Sequence, residues 1–256
     1  PRLTPLAVED VARLGELDPV KVDFVAETIA TVRASLDREV AVIGFAGGPI
    51  TLLAYLLEGG GSQQFANVRR AVNSDAVAEA LAVLTQATRA YLVAQIKAGA
   101  DVVQLFDTWA SLLSTDQFEQ WAVPSAHQTL VGLGVPTLYF APGATHLLEL
   151  FHLVGSTAYG VDWRLPLGEA WRRVGEDTPL QGNLDPAVLL CDPETVRGAT
   201  LRVLEEAGSR PGHIFNLGHG ILPGTPLVGV ETMVKTVVSW DGADSVDALS
   251  KVQHER

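Results

Sequence analysis

The chain has 256 residues, 47% hydrophobic and 19% charged, with a formal net charge of −12. These values suit one soluble domain with a large core, and they exclude a nucleic-acid binder that reads phosphates through a run of Lys and Arg. Its apolar runs are broken by Gly, Pro and polar residues before about 20 positions, so no membrane span is expected, and the single cysteine, Cys191, leaves no internal disulfide and no cysteine-based zinc site. With no charged leader before an apolar stretch, the expected location is cytoplasmic.

In chain order, the first periodic segment is DPVKVDFVAETIATVRASLD (18–37). Its Val25, Ile29, Val32 and Leu36 follow the i, i+4, i+7, i+11 spacing of one helix face. VAVIGFAG (40–47) is a nearly unbroken apolar run, as expected of a buried parallel strand. A second helix runs through Val77, Leu81, Leu84 and Tyr91, with Asn73 and Ser74 as candidate N-caps. DVVQLFD (101–107) and PTLYFA (136–141) read as strands, HLLELFHLVG (146–155) as a helix, and STAYGVDW (156–163) and PLQGNLD (179–185) as strands again. Asp185 before Pro186 suits a helix N-cap. DPETVRGATLRVLEEAGSRPG (192–212) is a helix closing on Gly and Pro, HIFNLGHG (213–220) is the sixth strand, and 241–256 is a polar tail.

Alternation of strand and helix predicts a parallel sheet, either a (β/α)8 barrel or an open doubly wound sheet. GFAGGP lacks the GxGxxG spacing of a dinucleotide turn, and GGGS (59–62) lacks the GK[ST] ending of a P-loop. Four strands finish on polar side chains: Asp107 with Thr108, Asp162, Asn183 with Asp185, and Asn216 with His219. In a barrel such ends converge on the catalytic face. In FNLGHGILPGTP (215–226), His219 sits between two glycines, an arrangement that presents the imidazole and lets another group approach the backbone. His127, His146, His152 and His254 have no metal-ligand spacing, and no metal is expected.

Five segments, GFAGGPITLLAYLLEGG (44–60), IKAGADVVQLFDTWAS (96–111), GVDWRLPL (160–167), LQGNLDPAVLL (180–190) and HIFNLGHGILP (213–223), resemble the uroporphyrinogen decarboxylase family in order and spacing. The resemblance runs from about residue 18 to about 236. It implies a distorted (β/α)8 barrel in tetrapyrrole biosynthesis, working as a homodimer without metal or organic cofactor. The implied reaction converts the four acetate side chains of uroporphyrinogen to methyls, giving coproporphyrinogen and carbon dioxide. A protonated pyrrole beside the acetate serves as the electron sink that a cofactor would otherwise provide. Matched motif to motif, Tyr55, Thr108 and His219 fall on substrate-contacting positions, Tyr55 and His219 also as catalytic residues, with Phe45 and Asp107 as candidate cleft walls.

The first motif resembles the third strand of that family. The six strands therefore read as strands 3 to 8 of one barrel domain spanning 1–256, with the first two βα units missing. Those units carry the family's arginine-rich loop and an aspartate beneath the macrocycle, and no residue in 1–39 stands in an equivalent context. An N-terminally incomplete chain is expected, one poorly soluble or inactive alone, with strands 40–47 and 213–220 as bare apolar edges. An eight-carboxylate substrate also wants local positive charge in an acidic chain. Two other readings remain: a non-catalytic tetrapyrrole-binding barrel, and a zinc- and corrinoid-dependent methyltransferase relative, which the lack of a thiol near His219 disfavours.

Overall fold

The apolar runs become six strands in a computed structural model: β1 (Ile43–Gly47), β2 (Val102–Phe106), β3 (Thr137–Phe140), β4 (Ala158–Gly160), β5 (Leu180–Leu184) and β6 (His213–Leu217). The fold is α/β, with a six-stranded sheet ordered β1-β2-β3-β4-β5-β6. The structure describes residues 3–208 and 210–241, so the tail expected at 241–256, beyond its first residue and including His254, lies outside the described residues. The chain gathers into two compact units, divided in sequence between Tyr159 and Gly160.

In the first unit β1 pairs parallel with β2 from Ile43↔Val102 to Gly47↔Phe106, and β2 with β3 from Val103↔Thr137 to Phe106↔Phe140. Val103, Leu105, Leu138 and Tyr139 are buried, as continuous apolar runs require. β1 departs from the expectation. Its residues alternate between exposed and buried, so only one of its faces is covered. Its edge is not bare, however. Gln95, on the helix Ala76–Lys97, accepts from the Phe45 N–H and donates to the Phe45 carbonyl, both at 2.8 Å. The Val42 carbonyl and the Gly48 N–H bond toward β2, which places the Phe45 peptide groups on the opposite edge.

Helix expectations hold in part. Val77, Leu81 and Leu84 are buried, and the line continues through Leu92 and Gln95 instead of Tyr91. Asn73 donates to the Arg69 carbonyl and so closes the preceding helix Ala66–Ala71, while Ser74 Oγ accepts from Ala76 N–H; the N-cap position itself is Asp75. The helix Asp23–Ser35 buries no residue fully, and Leu36 lies just beyond it. Residues Thr145–Val154 wind as a 3₁₀-helix, not an α-helix. Their buried Leu148, Phe151 and Val154 recur every third position, the 3₁₀ repeat.

In the second unit β5 pairs parallel with β6 from Leu180↔His213 to Leu184↔Leu217. The helix Pro193–Ala207 starts from Asp192, whose carboxylate accepts from the N–H groups of Glu194 and Thr195. Its Val196 and Ala199 join Leu184 and Leu189 in a core against which Phe215, Leu217, Val230 and Met233 pack. Asp185 is the expected N-cap, accepting from Ala187 N–H at 2.9 Å. Among the described residues, no helix is long and apolar enough to cross a membrane.

Candidate functional site

The C-terminal end of β2 delivers Asp107 into the interior, where it is 0% exposed. Its Oδ1 accepts from the Thr51 N–H at 3.0 Å and the Thr51 hydroxyl at 2.9 Å, and its Oδ2 accepts from the Tyr139 hydroxyl at 3.3 Å. Thr51 stands in the first turn of the helix Pro49–Glu58, whose N-cap residue is Gly48. A glycine cannot cap through a side chain, so Asp107 satisfies an orphan N–H of that turn from across the fold. A Cβ on Gly48 would overlap the Asp107 carboxylate, which explains the absence of a side chain there. Burial pushes the Asp107 carboxyl up to about 6, against the opposing bonds from Thr51 and Tyr139. Burial, with the adjoining Asp107 charge, holds the Tyr139 phenol well above its ordinary range. Asp107, read from sequence as a candidate wall, is thus a buried anchor joining β2, β3 and the helix after β1.

That anchored helix carries Tyr55, which is 36% exposed. Its ring meets Trp109 edge-on at 6.1 Å, and Phe65 lies against the same indole at 4.2 Å. The Tyr55 hydroxyl has no hydrogen-bond partner among the described residues, in contrast to an aromatic satisfied by a core carbonyl. Thr108 opens the 3₁₀ turn Thr108–Leu112 and does not cap it; the N-cap position is Asp107. Trp109 donates its backbone N–H to Thr51 Oγ1 at 3.0 Å, while its Nε1 is buried without a partner among the described residues. Phe45, 60% exposed, stands edge-on to Phe106 at 5.8 Å. Tyr55, Phe65 and Trp109 therefore form an aromatic group just beyond the C-terminal end of β2, whereas Phe45 stands mid-strand on β1.

His219 belongs to the second unit, two residues beyond β6, and is exposed. Gly220 N–H donates to its Nδ1 at 2.8 Å. A neutral ring accepting at Nδ1 carries its proton on Nε2, so the imidazole presents an N–H donor outward. Its ring stands edge-on to Trp163 at 6.0 Å. The two flanking glycines serve different ends. A Cβ on Gly218 would overlap the backbone nitrogen of Trp163, whereas one on Gly220 would meet nothing within 4 Å. Gly218→Ala is expected to lower the unfolding free energy by about 2–3 kcal/mol, because backbone must move. Gly220→Ala should stay within about 0.5 kcal/mol of the parent. Urea denaturation of both variants checks the contrast, and equal midpoints would remove the packing role given to Gly218.

Sequence reading missed Thr51, Tyr139 and Arg164. Arg164 lies in the turn after β4, where Asp162 Oδ1 accepts from its backbone N–H at 2.8 Å and Asp162 Oδ2 pairs with its guanidinium at 3.2 Å. Asn183 donates to the carbonyls of Asp162 and Leu165 at 2.9 and 2.6 Å, fixing that turn to β5. The polar strand ends Asp162 and Asn183 therefore act together, while the Asn216 side chain accepts from the next N–H, that of Leu217. Among the described residues, no three of His, Cys, Asp and Glu gather into a metal-binding group, and Cys191 is exposed.

Residues 1–240 match the family model for uroporphyrinogen decarboxylase. The curated uroporphyrinogen decarboxylase of Carboxydothermus hydrogenoformans is 40% identical over 236 residues, covering 90% of this chain and 67% of that protein. Its counterpart in Sorangium cellulosum is 42% identical, with the same coverage. The chain thus spans about two thirds of the length of these relatives, and less, 62%, of the one in Neisseria meningitidis. Among solved structures, a methyltransferase from Methanosarcina mazei shares the fold with a TM-score of 0.73 at 23% identity, covering 84% of this chain and 64% of its own. A match along nearly the whole chain, with relatives at about 40% identity, establishes that the chain belongs to the uroporphyrinogen decarboxylase family.

Proposed function

We propose that this chain carries the decarboxylation of uroporphyrinogen to coproporphyrinogen. Its six strands would then be strands 3 to 8 of a single (β/α)8 barrel domain, in a cytoplasmic homodimer that uses no metal or organic cofactor. The observation that carries the reading is about 40% identity, over 236 residues, with proteins named for that activity.

Protonation of a pyrrole carbon creates an iminium beside the acetate. The bond between the methylene and the carboxylate breaks, its electron pair neutralises the iminium, and carbon dioxide leaves. A proton then adds to the exocyclic methylene to form the methyl, and the ring loses the proton it had gained. The protein must hold the carboxylates and favour the cationic ring. The unpartnered hydroxyls of Tyr55 and Thr108 are donors suited to carboxylates, as is the outward Nε2–H of His219. Phe45 offers an exposed aromatic face for the macrocycle.

Anaerobic turnover tests the reading, on this chain and on the chain extended at its N-terminus with the two βα units that this reading assigns to strands 1 and 2. Seven-, six-, five- and then four-carboxylate products are expected from the extended protein. A macrocycle that binds to both and is never shortened would transfer the site to a tetrapyrrole-binding role.

A further inference from the structure

An acidic chain that takes a polycarboxylate needs cations placed at the site. The turn after β4 supplies one. The Arg164 guanidinium lies 3.9 Å over the Trp163 ring, and Trp163 stands edge-on to His219 at 6.0 Å. Stacking on an indole and pairing with a carboxylate leave a guanidinium little freedom, while its remaining N–H groups stay available. The Arg164 side chain is 53% exposed although its partner Asp162 is 3% exposed, so the pair is anchored from beneath and open above. Of its five N–H donors, the one directed at Asp162 has an acceptor among the described residues. Asn183 clamps the turn on both sides of Arg164, so the cation is held in place before any ligand arrives.

From this arrangement we infer that Arg164 is a carboxylate ligand of the site, pairing with a side-chain carboxylate of the tetrapyrrole beside the Nε2–H of His219. Trp163 is the platform that orients it, and Asp162 fixes its rotamer. This rests on the proposed decarboxylase reading and assigns that reading a cation which the sequence does not show.

The test is fluorescence titration of the N-terminally extended protein, parent and variants alike, with uroporphyrin, the oxidised macrocycle bearing the same eight carboxylates, over a series of salt concentrations. Arg164→Gln is expected to bind about tenfold more weakly, the loss of one charge-assisted hydrogen bond, and to show a shallower salt dependence. Arg164→Lys keeps the charge without the fork and should fall between. Arg172→Gln removes an equal charge from the exposed Glu169–Arg172 pair of the same unit and should match the parent. In turnover, the Gln variant should raise KM with kcat little changed. If Arg164→Gln does not fold, the Lys variant decides, with about threefold weaker binding expected. Parent-like binding and salt dependence in the folded variants would overturn the role of Arg164 and leave the decarboxylase reading intact. Failure of the parent protein to bind uroporphyrin would overturn both.

Discussion

Replacing Asp107 with alanine is expected to cost about 3 kcal/mol of stability, because Thr51 and Tyr139 would keep buried donors with nothing to receive them. Asp107→Asn should behave otherwise. Its carbonyl oxygen can take both Thr51 donors, and its amide can donate to the Tyr139 oxygen, which reverses that one bond and removes the buried charge. The pH dependence separates the two effects. The folded protein holds the Asp107 proton to about pH 6, the unfolded chain only to 3.8. Between these values the folded state binds more protons, so stability from this group falls as pH rises. A raised carboxyl of this size amounts to about 3 kcal/mol, present in full below the unfolded value and lost above the folded one. Asp101 and Asp192 run the opposite way, their carboxyls held low chiefly by backbone hydrogen bonds, so the parent protein alone shows a mixture. The difference between parent and Asp107→Asn isolates the buried group. In urea denaturation from pH 4 to 8, the Asn variant should gain on the parent through the window from 4 to 6. Parallel curves would mean that Asp107 stays ionised throughout.

In the N-terminally extended protein of the proposed decarboxylase, His219→Ala and Tyr55→Phe are expected to lower kcat/KM for uroporphyrinogen by about 10²–10³-fold, the usual effect of deleting one preorganised donor. Stability should shift by no more than about 0.5 kcal/mol, since neither the outward nitrogen nor the hydroxyl has a partner among the described residues. His219→Gln places an amide N–H near the position of Nε2 and should recover part of the loss. Activity measured beside a thermal melt checks both halves. Full turnover in His219→Ala would show that the imidazole faces solvent only.

The strands were legible because burial writes itself into local composition, as in DVVQLFD and PTLYFA. Their lengths were not. STAYGVDW yields a strand of three residues because Asp162 turns back to accept from Arg164 N–H, a contact that leaves no mark on hydrophobicity. HIFNLGHG ends as a strand at Leu217, where Gly218 passes against the Trp163 backbone. Tyr55, Thr108 and His219 stood in motifs and could be named, whereas the anchor around Asp107 spans separations of 56 and 32 residues. No local pattern announces such a pair. Arg164 had a weak signal, a cation directly after Trp in VDWRLP, but its meaning depends on a ring face and a buried carboxylate that only folding brings together.

The Gln95 amide on β1 bears on how this sheet behaves toward other chains. An open border ordinarily offers a continuous ladder of donors and acceptors to any extended segment that drifts past. Here the middle rung is already taken by a side chain that is almost wholly buried. An incoming segment must dislodge that amide and leave it unsatisfied before it can zip along the border. Stray cross-chain stacking is thereby interrupted at its midpoint, and a legitimate neighbour would have to bring its own replacement for two hydrogen bonds.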